Sequence, residues 1–167
     1  MIKKKVCMLG SFAVGKTSLV RQFVQGIFSD KYLTTVGVKI DKKTIELAGE
    51  EVQMMLWDIA GEDGFQRIQT TYLRGMAGYI LVVDGTRRST LEEAKNIFLR
   101  IDEMDIGSVP HVVFLNKIDL TDEWELKGED IASLNEIEAR AFKTSAKTNE
   151  GLEEGFLNLA EMMVKQG

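Results

Sequence analysis

Tyr79-Ile80-Leu81-Val82-Val83 and Val112-Val113-Phe114-Leu115 are apolar runs with no polar interruption. A strand that is apolar on both faces must be covered on both, the situation of a parallel sheet layered between helices. Between these runs Leu91, Ala94, Ile97, Phe98 and Ile101 keep helical spacing. Upstream, Val6-Cys7-Met8-Leu9 leads into a glycine-bearing loop, and Leu19, Val20, Phe23 and Val24 then share one helix face. Val38 to Leu47 and Val52 to Trp57 flank Ala48-Gly49-Glu50-Glu51 and predict an antiparallel hairpin. Val52, Met54 and Leu56 fall on one face of its second strand. Downstream, a short helix is expected around Asp130 to Asn135 and a last strand over Glu138 to Thr144. Leu152, Phe156, Leu159 and Met163 form the inward stripe of a closing helix. This alternation predicts an α/β fold spanning residues 1–167 as one domain. Its six-stranded sheet is mostly parallel with one antiparallel edge strand, and helices cover both faces.

Length and composition narrow the function. A chain of 167 residues is sized for one domain, and 44% hydrophobic with 28% charged residues excludes a disordered chain. The 21 Lys+Arg and 26 Asp+Glu leave a net charge of −5, which gives no general reason to bind nucleic acid. The lone cysteine, Cys7, cannot form an internal disulfide and sits in an apolar run, so it is expected to be a buried core thiol. No apolar stretch approaches the roughly 20 residues of a membrane helix. The start Met1-Ile2-Lys3 lacks a myristoylation glycine, and the end Val164-Lys165-Gln166-Gly167 lacks a prenylation cysteine. A cytoplasmic monomer is expected, reaching membranes only through a missing tail or a partner.

The chemistry is concentrated after the strands. Gly10-Ser11-Phe12-Ala13-Val14-Gly15-Lys16-Thr17 satisfies G-x-x-x-x-G-K-[ST] between a strand and a helix. Loop N–H groups and the helix N-terminus suit phosphate oxygens, Lys16 suits the β- and γ-phosphates, and the Thr17 hydroxyl suits Mg²⁺. A chance match in a chain this long has a probability on the order of 1%, so the pattern is a strong signal for phosphate. Asn116-Lys117-Ile118-Asp119 follows the run ending at Leu115. The Asp119 carboxylate matches the N1–H and 2-amino donors of guanine, whereas adenine offers an acceptor and a carbon there. Trp57-Asp58-Ile59-Ala60-Gly61 adds D-x-x-G, with Asp58 suited to Mg²⁺ through water and the Gly61 N–H to a γ-phosphate oxygen.

These three motifs in this order resemble the Ras-like small GTPases, and Trp57 with Tyr72-Leu73-Arg74-Gly75 leans toward the Rab branch. The resemblance covers essentially the whole chain and implies a P-loop NTPase G domain that binds GTP or GDP with Mg²⁺. It implies that Thr35 joins Mg²⁺ when the γ-phosphate is present, that Phe28 packs on guanine, and that Tyr32 lies near the phosphates. It further implies that the Ala146 N–H of Ser145-Ala146-Lys147 bonds guanine O6 and that Lys117 lies along the base. Ala13, Val14, Gly15, Lys16, Thr17 and Ser18 complete the implied nucleotide set. Lys16, Thr35, Gly61 and Glu62 are the candidate catalytic residues. Segments around Gln25 to Gly37 and Gly61 to Gly75 are then the switches that tighten on GTP and loosen on GDP, read by effector and exchange-factor proteins.

Two departures from the family pattern predict slow hydrolysis. Glu62 stands where a glutamine is usual; an ionised carboxylate only accepts hydrogen bonds and approaches a polyanion with unfavourable charge. Phe12 stands where the loop usually has a small residue. Gly64 adds mobility to the second switch, and Trp57, Ile40 and Tyr72 form either an exposed recognition patch or part of the core. Two competing readings follow: a guanine-nucleotide-binding scaffold with negligible turnover, and a P-loop kinase for a small metabolite. Asn116 to Asp119 argue against the latter.

Overall fold

A computed structural model describes residues 1–29, 37–60 and 70–166. Six strands, β1 (Ile2–Gly10), β2 (Val38–Leu47), β3 (Glu50–Ile59), β4 (Gly78–Asp84), β5 (His111–Asn116) and β6 (Arg140–Lys143), form one sheet in the order β2-β3-β1-β4-β5-β6. Only the edge strand β2 is antiparallel to its neighbour. The expected fold is the one observed.

Alternation along each buried strand distributes the core into two layers. Val6, Met8, Ile80, Val82, Val112 and Phe114 pack with α1 (Lys16–Gln25) and α4 (Leu152–Gln166). Their chain neighbours Cys7, Leu9, Leu81, Val83, Val113 and Leu115 pack on the opposite face with α2 (Ser89–Glu103). Both layers are needed because the central strand β4 is buried at every residue. The stripe Leu152, Phe156, Leu159 and Met163 of α4 is buried as its spacing predicts.

Three boundaries differ from expectation. The hairpin turn is only Ala48-Gly49, both at positive φ, and Glu50 and Glu51 already belong to β3. Two left-handed residues suit the twist of a tight hairpin, so the strands close earlier than the glutamates implied. The helix expected near Asp130 to Asn135 is α3 (Gly128–Ala132), which passes into a 3₁₀ turn over Ser133–Ile137. The Ser133 hydroxyl donates to the Asp130 carbonyl at 2.6 Å, competing with continuation of the α-helical ladder. The last strand is shorter than Glu138 to Thr144, because Glu138 adopts left-handed φ and caps that turn.

Parallel pairing carries the C-terminal ends of β1, β3, β4 and β5 to one edge, at Gly10, Ile59, Asp84 and Asn116. Strand β1 lies between pairs running to either side, the place where such sheets bind ligands. No described helix is long and apolar enough to cross a membrane.

Candidate nucleotide-binding site

The loop after β1 is shaped by glycines at both ends. A Cβ on Gly10 would stand 2.6 Å from the Val82 carbonyl oxygen. Gly15 has φ 103°, and a Cβ there would overlap the Asn116 side-chain amide. Between them Ala13 accepts φ 63°, a strained value for a residue with a side chain.

Every carbonyl from Gly10 to Val14 is then taken by a side-chain donor. Lys16 Nζ donates to the Gly10 and Ser11 carbonyls, each at 3.2 Å. Arg87 Nη2 donates to Phe12 at 2.7 Å, Lys117 Nζ to Ala13 at 3.1 Å and Asn116 Nδ2 to Val14 at 3.0 Å. In a planar trans peptide the C=O and the following N–H point in opposite directions. The donors on Phe12, Ala13 and Val14 therefore turn the N–H groups of Ala13, Val14 and Gly15 to the other side of the loop. A concavity of amides at a helix N-terminus has the chemistry to receive an anion. The Ser11 hydroxyl is held from α2 by the Glu93 carboxylate.

Two of these donors share one acid. Asp84, buried at the end of β4, receives Lys117 Nζ at 2.9 Å and Arg87 Nε at 3.1 Å on the same oxygen. Its other oxygen accepts the Thr86 N–H at 2.9 Å and hydroxyl at 2.6 Å. Burial opposes ionisation of Asp84, but the bonds from Thr86 and Lys117 outweigh it and hold its pKa below the usual aspartate value. Burial pushes the Lys16 ammonium down to about 8; Asp58 works against that fall and Arg87 adds to it.

Beside Lys16 the Thr17 hydroxyl donates to Asp58 Oδ2 at 2.6 Å. A hydroxyl and a carboxylate, both hard oxygen donors, suit Mg²⁺ in their chemistry.

The segment Asn116 to Asp119 is braced by the loop after β6. Asn116 Oδ1 accepts the Thr144 hydroxyl at 3.1 Å, and the Thr144 carbonyl accepts the Ile118 N–H at 3.0 Å. Ser145, fully buried, donates its hydroxyl to Asp119 Oδ1 at 2.7 Å and accepts the Thr148 N–H at 3.0 Å. The carboxylate is thus oriented by a fixed neighbour. Gln22 of α1 donates to the Ala146 carbonyl at 2.7 Å, tying this loop to the phosphate helix. Lys147 is exposed and Phe28 is 38% exposed.

A phosphate loop at the end of β1, a braced N-K-x-D loop at the end of β5 and a chain order that joins them correspond to a family model, "Ras family", matching residues 5–165. The chain belongs to the Ras family. Within it the chain is Rab-like. It is 35% identical over 165 residues to the Ras-related protein Rab-10 of Diplobatis ommata, covering 97% of this chain and 82% of that protein. It is 32% identical to Rab-13 of Canis lupus familiaris, covering 98% and 81%. It is 31% identical to the GTP-binding protein ypt2 of Schizosaccharomyces pombe, covering 97% and 82%. Members of this family are GTP-binding switch GTPases that generally use Mg²⁺.

In this Ras-family protein the structure brings Ala13, Val14, Gly15, Lys16 and Thr17 together with Asn116, Lys117, Asp119, Ser145 and Ala146 around one sheet edge. Ser18 follows in the first turn of α1. Thr35, Gly61 and Glu62 lie outside the described residues, as do Tyr32 and Gly64. Asp84, Arg87 and Thr144 were not anticipated. The position of Asp84 at the end of an apolar strand was the available signal, since the other motif acids occupy equivalent strand ends. Of the proposed recognition patch, Ile40 is 45% exposed and pairs across the strands with Trp57, so this face is surface. Trp57 is half-buried, with Lys5 Nζ 3.7 Å from its ring centroid and Tyr72 beside it.

Proposed function

We propose that this protein is a guanine-nucleotide switch that binds GTP and GDP with Mg²⁺ and hydrolyses GTP slowly. The observation that carries the reading is the set of outward-held carbonyls at Phe12, Ala13 and Val14, joined through Asn116 and Lys117 to a loop whose Asp119 is oriented by Ser145. Phosphate and base recognition are thereby mechanically one unit. Ala13 to Ser18 take the phosphates, Asp119 the guanine edge, Ala146 its O6, Lys117 and Phe28 its faces, and Lys147 belongs to the base loop with Ser145 and Ala146.

Thr17, Thr35 and, through water, Asp58 would hold Mg²⁺, which would supply charge neutralisation at the phosphates. Lys16 and the loop amides stabilise charge growing on the leaving oxygens. Thr35 and Gly61 couple the switch segments to the γ-phosphate. Effector and exchange-factor proteins read those segments and the adjoining face of Ile40, Trp57 and Tyr72.

The test is competition on purified protein between guanine and adenine nucleotides. GDP and GTP should displace a fluorescent guanine nucleotide at least about a hundredfold more effectively than ADP and ATP, because mismatched buried donors and acceptors are costly. Equal displacement by ATP refutes the assignment. Single-turnover hydrolysis tests the rate: Glu62→Gln should accelerate it by about tenfold or more, given the size of effects from charge at such sites. An unchanged or slower Glu62→Gln rate removes the electrostatic explanation. Phosphate release from the wild type no faster than from a Lys16→Ala variant selects the scaffold reading.

A further inference from the structure

We propose that Asp84 is a positioning residue of the nucleotide site: its buried carboxylate locks Lys117 and Arg87 onto two consecutive carbonyls of the loop after β1 and so fixes where the loop amides point. The inference rests on the guanine-nucleotide reading above and adds a residue that lies outside all three motifs.

The direction of the amides is set from the carbonyl side of the loop. The Phe12 carbonyl accepts Arg87 Nη2 at 2.7 Å, and the Ala13 carbonyl accepts Lys117 Nζ at 3.1 Å. Because each peptide is planar, these two bonds orient the N–H groups of Ala13 and Val14. Both cations sit on long, partly exposed side chains, 43% exposed for Arg87 and 32% for Lys117. Left to themselves, two like charges on neighbouring carbonyls repel, and two flexible stems lose rotamer freedom by staying there. Asp84 answers both costs. Its Oδ2 accepts Lys117 Nζ at 2.9 Å and Arg87 Nε at 3.1 Å, so one anionic oxygen joins the two cations. On Arg87 it uses a different nitrogen from the one that reaches the loop.

Asp84 is itself held. It is buried at the end of β4, and its Oδ1 accepts the N–H and the hydroxyl of Thr86. Burial opposes its charge, but the bonds from Thr86 and Lys117 outweigh burial, and the carboxylate is ionised at neutral pH. The two oxygens therefore have separate tasks. Oδ1 shapes the turn after β4, and Oδ2 aims both cations. Asp84 acts through Lys117 and Arg87, from the side of the loop away from the amides, and not by touching the nucleotide.

Backbone strain marks the same link. Ala13 and Lys117, joined by the 3.1 Å bond, both have positive φ, 63° and 71°. Such values are costly for residues with a side chain and persist where surrounding contacts over-determine them. One of the pair belongs to the phosphate loop and the other to the base loop, and Asp84 secures the cation that connects them.

Asp84→Asn isolates the task of Oδ2. The amide keeps an oxygen for Thr86 and puts an NH₂ group where both cations need an acceptor. The experiment follows a fluorescent GDP and a fluorescent non-hydrolysable GTP analogue on the full chain by stopped flow, with titration of the competent sites. Asp84→Asn should speed dissociation of both nucleotides by about tenfold, the scale of one charge-assisted hydrogen bond. Association should change by less than about threefold, because weakened contacts act mainly on the off-rate. Lys117→Ala should also speed dissociation, and adding Asp84→Asn to it should accelerate release by no more than about threefold further, since residues that act through one another do not add independently. Arg87→Ala removes an exposed arm of the clamp and should speed release of both nucleotides by about threefold, which tests the proposal even where Asp84→Asn folds poorly. Unchanged dissociation in either Asp84→Asn or Arg87→Ala overturns the proposal while guanine binding stands. So do fully multiplied losses in the double variant, or fewer competent sites with unaltered release from the remainder. Failure of the wild type to prefer guanine over adenine nucleotides overturns the reading beneath it.

Discussion

Cys7 lies in the middle of β1 with no exposed surface, and its Sγ donates to the Tyr72 carbonyl at 3.6 Å. Burial pushes its pKa up to about 12, with the nearby Lys5 charge acting weakly in the opposite direction. At pH 8 the folded protein should therefore resist iodoacetamide, whereas protein in urea should be labelled at the one site; mass spectrometry reads both. Rapid labelling of the native state would contradict the burial. The linkage has a definite sign. Because the folded pKa lies above the unfolded value near 9, the unfolded chain loses its thiol proton first as pH rises. The thiol's contribution to stability is complete below about pH 9 and declines toward pH 12, so the urea midpoint should fall more between pH 8 and pH 10 than it does in Cys7→Ala. The core placement of Cys7 was legible from its apolar neighbours. The cation of Lys5 over Trp57 was not, because the two residues are brought side by side by strands far apart in sequence.

At the scale of elements, α4 approaches the sheet at Gly155. A Cβ there would overlap the Phe114 ring, itself held edge-on by Phe142 and Phe156. Gly155→Ala gains helix propensity, but the clash falls on a fully buried ring that has no free space to rotate into. Overpacking of this kind costs about 1–3 kcal/mol. Thermal unfolding should show a loss of roughly 2–4 °C for each kcal/mol in a domain of this size. An unchanged or higher melting temperature would show that α4 can lift without cost. The apolar stripe of α4 could be read from spacing alone, and so could α2. The interruption of α3 could not, since it depends on a serine hydroxyl competing for one backbone carbonyl. The two-residue hairpin turn was likewise obscured, because two exposed glutamates next to a glycine read equally well as loop.

Across the whole molecule, five strand ends supply one site, and the P-loop is held by donors from two distant loops. The motif residues Lys16, Thr17, Asn116, Lys117 and Asp119 were recognisable because phosphate and guanine impose local residue types at fixed spacing. Strand identity was recognisable because apolar runs buried on two faces have no polar alternation. Ser145 was anticipated only through resemblance, and its bond to Asp119 required β5 and β6 to pair in register. Asp84 and Arg87 carry no local pattern. Their roles depend on β4 lying next to β1, which sets a buried acid beside a loop more than 70 positions earlier in the chain. Local chemistry and periodicity thus determined the fold class, the family and the candidate residues of the site. Only the tertiary structure decided which side chains hold those residues in place, because a hydrogen bond between loops is a property of strand order and register, and neither is written in any one segment.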